Sequence, residues 1–338
     1  MKIVIDVMSG DNAPEELIKG VFAAHEDYPH VDMIMTGNKY IIEDYCREAD
    51  LDLKTPGISI VHTESVITME DPALSVVRDK ADSSMGKGLK MLSAGEADAM
   101  VSAGNTGALH AGSTLVVRRI KGIGRSAIAT ILPLETPMLL IDAGANTEVT
   151  KEQLLQFAIM GSIYMNKLFG IDRPRVGLAN NGTEATKGTK LLQEVYAYLS
   201  ECEDINFIGN IEGKQIPFSE CDVLVCDGFT GNMILKLTEG LAKFFMGKVK
   251  QVFMRNPATK AAGLVMKPQI KEFKKEFDAS EYGGAPLLGI SKPVVKAHGS
   301  SDAVAVKNAI RQTIDFVNTG IIKELARRVT KKEESENE

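Results

Sequence analysis

Two segments of the chain carry residue types that could bind an anion, and they align without a gap. They read Glu96-Ala-Asp-Ala-Met-Val-Ser-Ala-Gly-Asn-Thr-Gly107 and Glu220-Cys-Asp-Val-Leu-Val-Cys-Asp-Gly-Phe-Thr-Gly231, with six of twelve positions identical. Each has an acidic residue, an apolar strand and a Gly-x-Thr-Gly loop before a predicted helix. Glycine lets a backbone approach a ligand, and N–H groups that open a helix attract anions. The pair could form two walls of one anion-binding cleft, or could be two strand-to-helix turns that resemble each other by chance.

Other predicted strand ends are also rich in glycine, amides and hydroxyls. They lie at Asp6–Pro14, Asp142–Asn146, Asn180–Gly188, Gly209–Gly213 and His298–Asp302. Backbone N–H groups and Asn, Ser and Thr side chains suit a phosphate, or a carbonyl oxygen that develops negative charge. Lys187, in the third of these loops, is either a cation for phosphate or a solvated lysine at a helix start. His298 is either a phosphate donor or a capping side chain.

Motifs that would indicate other chemistry are missing from the sequence or lie in the wrong context. Gly122-Ile-Gly-Arg-Ser-Ala127 has glycines like those of a dinucleotide fingerprint, but it leads into the strand-like Ala127–Leu132 rather than a helix. No cluster of His, Cys and carboxylate residues has metal-ligand spacing. Cys226, beside Asp227, could be a nucleophile but fits a buried core cysteine better. We therefore expect neither a metal nor a cofactor.

Short apolar strands that alternate with amphipathic helices must position these loops. The predicted strands are Ile3–Ile5, Met33–Thr36, Ile58–Val61, Ala99–Ser102, Met138–Ile141, Arg175–Leu178, Asn206–Ile208, Val223–Cys226 and Val294–Ala297. The predicted helices are Pro14–His25, Ser84–Ala94, Lys151–Leu168, Gly188–Ser200, Asn232–Met254 and Ser301–Arg328. The alternation predicts a three-layer α/β/α sandwich around a mostly parallel sheet, with ligands beyond the carboxyl ends of the strands. We expect one two-lobed domain over residues 1–330 and a disordered tail over 331–338.

The composition is that of an ordinary globular protein. The chain has 338 residues, 44% hydrophobic content and a formal net charge of −6. This charge argues against general nucleic-acid binding, which needs a basic face. Four sparse cysteines, and no secretory leader before the first predicted strand, favour a reduced cytoplasmic protein. No run approaches the roughly 20 apolar residues that span a bilayer, so we expect any membrane contact to be peripheral.

One segment is basic within this acidic chain. Lys250–Lys275 contains seven basic residues and one acid, Glu272. Inside it, Ala261–Met266 is an uncharged apolar tip between Lys260 and Lys267. We expect a basic-apolar helical hairpin over residues 250–290 whose tip contacts a membrane or a partner through Leu264, Val265, Met266, Lys260 and Lys267. An anionic membrane, an acidic carrier protein and a dimer interface all remain possible occupants.

An ordered set of motifs resembles the PlsX family, the bacterial phosphate acyltransferases of phospholipid synthesis. The motifs are Ile5-Asp-Val-Met-Ser-Gly-Asp-Asn-Ala-Pro14, Asp82-Ser-Ser-Met85, Val101-Ser-Ala-Gly-Asn-Thr-Gly-Ala108, Ile141-Asp-Ala-Gly-Ala-Asn146, Gly209-Asn-Ile-Glu212, Cys226-Asp-Gly-Phe-Thr-Gly-Asn232 and Val295-Lys-Ala-His-Gly-Ser-Ser301. The resemblance runs from about residue 1 to 320. It implies a fold similar to phosphotransacetylases and isocitrate-type dehydrogenases. It also implies transfer of an acyl group from acyl carrier protein to inorganic phosphate.

The resemblance also implies roles for particular residues and partners. It marks Lys187 and Asn232 as needed for activity. We expect the substrates to contact strand-end residues of the same motifs: Asp6, Gly10, Asp11, Asn105, Thr106, Gly107, Thr230, Gly231, His298, Gly299 and Ser300. The family implies a homodimer at the cytoplasmic face of the membrane, near the downstream glycerol-3-phosphate acyltransferase.

Three other functions stay open at this point. A phosphotransacetylase that uses short acyl-coenzyme A would not need the basic-apolar hairpin. A metal- and nicotinamide-dependent decarboxylating dehydrogenase should have an aspartate set for the metal, which we cannot assemble from the sequence. A non-catalytic membrane-docking scaffold would leave the polar strand-end loops without a use.

Overall fold

The computed structural model describes residues 1–134, 136–276 and 282–336. Its strands form one continuous sheet. They are β1 (Lys2–Asp6), β2 (Asp32–Gly37), β3 (Ile58–His62), β4 (Ala99–Ser102), β5 (Ala127–Leu132), β6 (Met138–Ile141), β7 (Arg175–Asn180), β8 (Asn206–Glu212), β9 (Val223–Val225), β10 (Ala285–Leu288) and β11 (Val294–Lys296). Every strand predicted from the sequence is present.

The sheet consists of two parallel blocks that run in opposite directions. The strand order is β3-β2-β1-β4-β11-β10-β5-β6-β9-β7-β8. The first block, β3 to β11, and the second block, β6 to β8, are each internally parallel. Between them, β10 is antiparallel to both neighbours, and β5 is antiparallel to β6. The carboxyl ends of the two blocks therefore lie at opposite edges, and the strand-end loops form two groups.

Helices connect the strands. They are α1 (Glu15–Asp27), α2 (Lys39–Glu48), α3 (Ser84–Ala94), α4 (Thr106–Gly112), α5 (Lys151–Phe169), α6 (Lys190–Ser200), α7 (Gly228–Phe253), α8 (Pro257–Val265), α9 (Lys267–Glu276), α10 (Ala303–Asn318) and α11 (Ile321–Glu336). None of the helices in the described residues is long and apolar enough to cross a membrane.

Both faces of the sheet are buried, as a three-layer sandwich requires. In β1, Ile3 and Ile5 join the core on one face, while Val4 joins the core on the other. Side chains alternate between the two faces of a strand, so a run of consecutive apolar residues needs cover on both sides. Tyr164 of α5 is fully buried, and its hydroxyl accepts a hydrogen bond from Nε2 of Gln312 at 3.0 Å. The predicted α/β/α fold class is confirmed.

Helix α7 begins four residues earlier than the sequence predicts. Asp227 caps it, because its Oδ1 accepts a hydrogen bond from the backbone N–H of Thr230 at 2.9 Å. Asn105 caps α4 in the same way through the N–H of Ala108. The threonine and glycine of both Gly-x-Thr-Gly segments are therefore in the first turn of a helix. The predicted start at Asn232 is wrong because the aspartate cap is a stronger start signal than the apolar spacing.

Strand β10 lies inside the segment 250–290, where the sequence predicts a helical hairpin. Leu287 and Leu288 pair with β5, while Ala285 and Pro286 pair with β11. The hairpin of α8 and α9 therefore ends before Ala285, and 277–281 lies outside the described residues. Proline has no N–H for a sheet ladder and usually argues against a central strand. Because β10 contains Pro286, the sequence pattern does not predict it.

The predicted helix Ser301–Arg328 is two helices, α10 and α11. Gly320 separates them and has a φ of +66°, a left-handed conformation that glycine adopts at little cost. Helix α11 continues to Glu336, within the segment 331–338 for which the sequence predicts disorder. Residues 337–338 lie outside the described part of the chain.

Candidate active site

The loop that follows β6 is held by one buried carboxylate. Asp142 is fully buried, and its Oδ1 accepts hydrogen bonds from the N–H groups of Ile128, Gly144 and Ala145 at 3.0–3.1 Å. Its Oδ2 accepts from the backbone N and Nδ2 of Asn146 at 2.7 and 2.8 Å. Five donors to one carboxylate give a rigid turn. We call residues 142–146 the Asp142 loop.

The first turn of α7 lies directly on the Asp142 loop. A Cβ on Gly231 would meet the carbonyl oxygen of Asp142 at 1.9 Å, so only glycine fits there. The N–H of Gly228 donates to the carbonyl of Asn146 at 2.7 Å. Asn232 is exposed, and a Cβ on Gly144 would lie 3.5 Å from its Cβ. The two loops thus present the Asn232 amide to solvent at a helix N-terminus.

The hydroxyl group of Thr230 forms a hydrogen bond within the first turn of α7. Its Oγ1 donates to Oδ2 of Asp227 at 2.7 Å, in addition to the backbone cap. Its predicted contact with substrate stays a prediction, and its side chain already has a protein partner.

Lys187 lies on the loop after β7, and β7 is the neighbour of β9 in the sheet. Nδ2 of Asn180 donates to the carbonyl of Lys187 at 3.3 Å, and the N–H of Lys187 donates to the carbonyl of Glu184 at 3.0 Å. Nδ2 of Asn210 donates to the same Glu184 carbonyl at 2.9 Å. The backbone of this loop is fixed while the lysine side chain is exposed. Lys187 and Asn232 therefore stand on loops that follow adjacent strands.

A second polar cluster lies at the carboxyl ends of β1, β4 and β11. Asp6 is fully buried, and its Oδ2 accepts from Oγ of Ser102 at 2.8 Å. Burial raises the pKa of Asp6. Lys296 is only 8% exposed, and its Nζ donates to the carbonyls of Ala103, at 3.1 Å, and Ala297. Burial lowers the pKa of Lys296 to about 8, although the carboxylates of Asp11 and Asp6 oppose this change.

Gly10 and Gly299 bring two loops of this second cluster together. The N–H of Asp11 donates to the carbonyl of Gly299 at 2.8 Å. Gly10 has a φ of +123°, and a Cβ there would meet Cβ of Ala103 at 3.0 Å. His298 and Ser300 are exposed, with Nδ1 of His298 2.9 Å from Oγ of Ser300. The structure therefore gathers these predicted residues into one place.

The side-chain amide of Asn105 is fully used in hydrogen bonds within the protein. Besides capping α4, its Nδ2 lies 3.1–3.2 Å from the carbonyls of Thr68, Met69 and Asp71. It therefore clamps a neighbouring loop, and its amide has no N–H left for a substrate. Thr106 and Gly107 follow it in the first turn of α4, where Gly107 is exposed.

Two helices connect the clusters, which lie at opposite edges of the sheet. His110 of α4 places its Nε2 2.9 Å from Oγ of Ser126, whose carbonyl accepts from Nδ2 of Asn146 at 2.8 Å. Burial lowers the pKa of His110, and Asp142 opposes part of that change. From the other side, α7 runs past the second cluster. Desolvation lowers the pKa of His298, Glu239 of α7 opposes this change, and Lys236 of α7 adds to it.

Lys296 and His110 belong to the polar clusters of the candidate site, and the sequence patterns did not identify them. Lys296 sits in the apolar run Val294–Ala297, where it looks like the end of a strand. His110 lies inside a helix, with no motif around it. Lys296 could have been identified because it is a lysine within an apolar run that predicts full burial. A buried lysine needs polar partners, so its position indicates a polar cluster. The prediction that Cys226 is a core residue agrees with its burial, which raises its thiol pKa.

The predicted tip of the hairpin is exposed. Leu264 and Val265 end α8 with 74% and 76% of their surface exposed, and Met266 is 44% exposed. Lys260 and Lys267 flank them and are also exposed. Exposed apolar side chains between cations are typical of a surface that contacts a membrane or a partner.

Comparisons with known proteins agree with this architecture. The profile of a family described as "Fatty acid synthesis protein" matches residues 1–324. A phosphate acyltransferase of Thermoanaerobacterium thermosaccharolyticum is 46% identical over 330 residues, covering 97% of each protein. One from Alkaliphilus oremlandii is 46% identical over 331 residues, covering 98% of each. A crystal structure of a phosphotransacetylase from Streptococcus pyogenes has a TM-score of 0.64, at 16% identity and 94% coverage of both chains.

The fold and its relatives define an acyltransferase with the phosphotransacetylase type of fold. The chain belongs to the PlsX family of phosphate acyltransferases.

Proposed function

We propose that this chain transfers a fatty acyl group from acyl-[acyl carrier protein] to inorganic phosphate. The product is an acyl phosphate that supplies phosphatidic acid synthesis. One observation carries this proposal: the exposed Asn232 amide at the N-terminus of α7, beside the loop that bears the exposed Lys187. A developing oxyanion and a phosphate both need fixed donors, and these loops supply donors on a rigid frame.

Phosphate is itself the nucleophile in this reaction. One of its oxygens attacks the carbonyl carbon of the thioester, so that a C–O bond forms. The tetrahedral intermediate then collapses, the C–S bond breaks, and the thiolate leaves and takes a proton from solvent. We assign phosphate binding to Lys187 and stabilisation of the oxyanion to Asn232. The work of the protein is positioning and charge stabilisation.

The second cluster lies at the opposite edge of the sheet, and α7 runs from the first cluster towards it. Buried Lys296 is held by two backbone carbonyls, and the charges of Asp11 and Asp6 act on it. His298 and Ser300 offer exposed donors on the loop that follows. We assign this cluster to the polar groups of the substrates. The continuous sheet supports one domain over residues 1–330 with two lobes, one for each block.

The apolar surface of α7 supports the homodimer that the family implies. Leu237, Phe244, Phe245 and Val252 are 55–63% exposed along this helix. Phe244 and Phe245 lie seven and eight residues after Leu237, and Val252 lies eight and seven residues after them, which places the set on one broad face of α7. Such a face is usually covered. We propose that a second copy of the chain covers it.

The tip of the hairpin is assigned to a different contact, an anionic membrane at the cytoplasmic face. There the product would pass to a glycerol-3-phosphate acyltransferase.

Kinetics of two single variants test the assigned roles. Lys187→Ala should raise the KM for phosphate roughly 10- to 100-fold, the value of one charge-assisted hydrogen bond. Lys190→Ala, an exposed lysine at the start of α6, is its matched control and should leave the KM unchanged. Asn232→Ala should lower kcat by on the order of 100- to 1000-fold, with a smaller change in the KM for phosphate. Near-normal turnover of Lys187→Ala at low phosphate would refute the role of that lysine.

Transfer from short acyl-coenzyme A is the second candidate, because the fold matches a phosphotransacetylase. Turnover of acetyl-coenzyme A and of a long-chain acyl carrier protein at equal concentration separates the two. We expect the carrier-bound substrate to be preferred, and preference for acetyl-coenzyme A would favour the alternative.

A further inference from the structure

A basic surface next to the site has no role in the reaction described above. Arg118, Arg119, Lys121 and Arg125 fall within eight residues that contain no acid. All four are exposed. In the part of the chain that the structure describes, no carboxylate forms a salt bridge with any of them. We call residues 118–125 the basic loop; it contains the glycines that imitate a dinucleotide fingerprint.

The basic loop borders an open cavity of about 400 Å³. Thr114 and Leu115 complete its lining, and Leu115 is 55% exposed. Arg119 donates a hydrogen bond to the carbonyl of Gly124, and no carboxylate of the described residues pairs with the cations of the basic loop. An apolar side chain beside such arginines is a common composition for a protein-binding surface. The positive charge stands out in a chain whose net charge is −6, so it fits an acidic partner.

The basic loop is held in place before any partner arrives. Oε1 of Gln156 accepts from the N–H of Gly124 at 2.8 Å, and Nε2 of Gln156 donates to the carbonyl of Gly122 at 2.9 Å. The N–H of Ile120 donates to the carbonyl of Gly289 at 2.9 Å. A preorganised surface loses little conformational entropy when it binds.

The basic loop leads directly into the candidate active site. Arg125 precedes Ser126, which contacts His110 through its hydroxyl and Asn146 through its carbonyl. Arg125 and Arg119 are close enough to His110 to lower its pKa. Asn146 belongs to the Asp142 loop, on which the turn bearing Asn232 lies. A macromolecule bound at the basic loop would therefore lie close to the elements that carry the candidate active site.

We propose that the basic loop is the docking surface for the acidic carrier protein that delivers the acyl thioester. This rests on the proposed function, because it presupposes that the thioester arrives on a carrier. Docking there would bring the thioester close to the Asp142 loop, on which the turn bearing Asn232 lies. An anionic membrane is the less suitable occupant, since the cavity exposes one large apolar side chain, Leu115, whereas the hairpin tip exposes three in sequence.

Charge reversal at two positions tests the docking surface. Arg118→Glu combined with Lys121→Glu should raise the KM for acyl carrier protein by on the order of tenfold or more, most strongly at low salt. The KM for phosphate should stay within twofold. An acyl N-acetylcysteamine thioester, which has no carrier, should lose much less kcat/KM than the carrier-bound thioester. Arg47→Glu combined with Lys54→Glu, an equal charge change on exposed residues elsewhere, should leave all three values unchanged.

The outcomes separate this inference from the proposed function. If the wild-type protein does not use acyl carrier protein, the proposed function fails and the inference fails with it. If the wild type does so and the double variant keeps its carrier KM, only the docking surface is refuted. Loss of binding to phosphatidylglycerol vesicles without a change in carrier KM would assign the basic loop to lipid instead. Arg118→Gln with Lys121→Gln gives a milder variant that should raise the same KM by a smaller factor.

Discussion

At the scale of single residues, the missing side chain of Gly231 lets the first turn of α7 lie on the Asp142 loop. A Cβ there would meet a backbone carbonyl at 1.9 Å, so the whole turn would have to move. Neighbouring Asn232 would move with it. A residue with no chemical group therefore determines where a proposed catalytic amide stands.

Gly231→Ala should unfold more easily and lose most activity. Overpacking against the backbone should lower the free energy of unfolding by about 1–3 kcal/mol. Gly240→Ala is the matched control in the same helix, because a Cβ at Gly240 meets nothing within 4 Å. It should raise the free energy of unfolding by about 0.5–1 kcal/mol, since alanine favours helix. Urea unfolding and acyl-transfer assays check both variants, and equal stability of the two would contradict the close contact.

Lys296 makes stability depend on pH in a defined window. Its pKa is about 8 in the folded protein against an ordinary 10.5. Between these values the unfolded chain holds a proton that the folded chain does not, so stability rises with pH there. Below pH 8 the burial of the charge costs stability, by roughly 3 kcal/mol for such a shift.

Lys296→Met should remove this dependence. The free energy of unfolding of the variant, minus that of the wild type, should be largest near pH 7 and fall by roughly 3 kcal/mol towards pH 10.5. Urea titrations at several pH values measure this difference. The contributions of the other ionisable groups to the pH dependence are nearly the same in both proteins and therefore largely cancel. Parallel curves for the two proteins would show that Lys296 is not desolvated in the folded state.

Among the helices, α7 and the hairpin after it expose many of their large apolar residues, although Ile234 and Leu235 of α7 pack against the core. The rest of the described helices bury at least part of one face against the sheet or another helix, as α5 does with Tyr164 and Phe157. Helix α8 has no buried residue. Elements with this pattern need a partner, and the two surfaces can have different ones.

Leu264→Glu combined with Val265→Glu should release the protein from anionic vesicles. Each of these side chains contributes roughly 1.5–3 kcal/mol when fully buried, and each nearby lysine about 1 kcal/mol at an anionic surface. These values permit reversible binding. Vesicle sedimentation and the mass in solution are measured together, with the exposed Gln269→Glu as control. Unchanged vesicle binding with a disrupted dimer would show that the tip is an assembly element.

Across the sheet, sequence patterns predict the strands well because most are short runs of apolar residues buried on both faces; the edge strands β3 and β8 are partly exposed. They do not predict the direction of the second block, because the reversal depends on β5 and β10, and Pro286 disguises β10. The strand-end loops could be found from their glycines and amides. Asn105 could not be recognised as a clamp, since its partners at Thr68–Asp71 are distant in the chain. Lys296 and His110 joined the site only through tertiary contacts.

In the proposed reaction phosphate takes the acyl group from a carrier-bound thioester, and counting both products tests this transfer. Purified protein, long-chain acyl carrier protein and inorganic phosphate are incubated, and both the thiol released and the acyl phosphate formed are counted. We expect one acyl phosphate for each thiol, with both products absent when phosphate is omitted. Release of thiol without acyl phosphate, or without any need for phosphate, would contradict it.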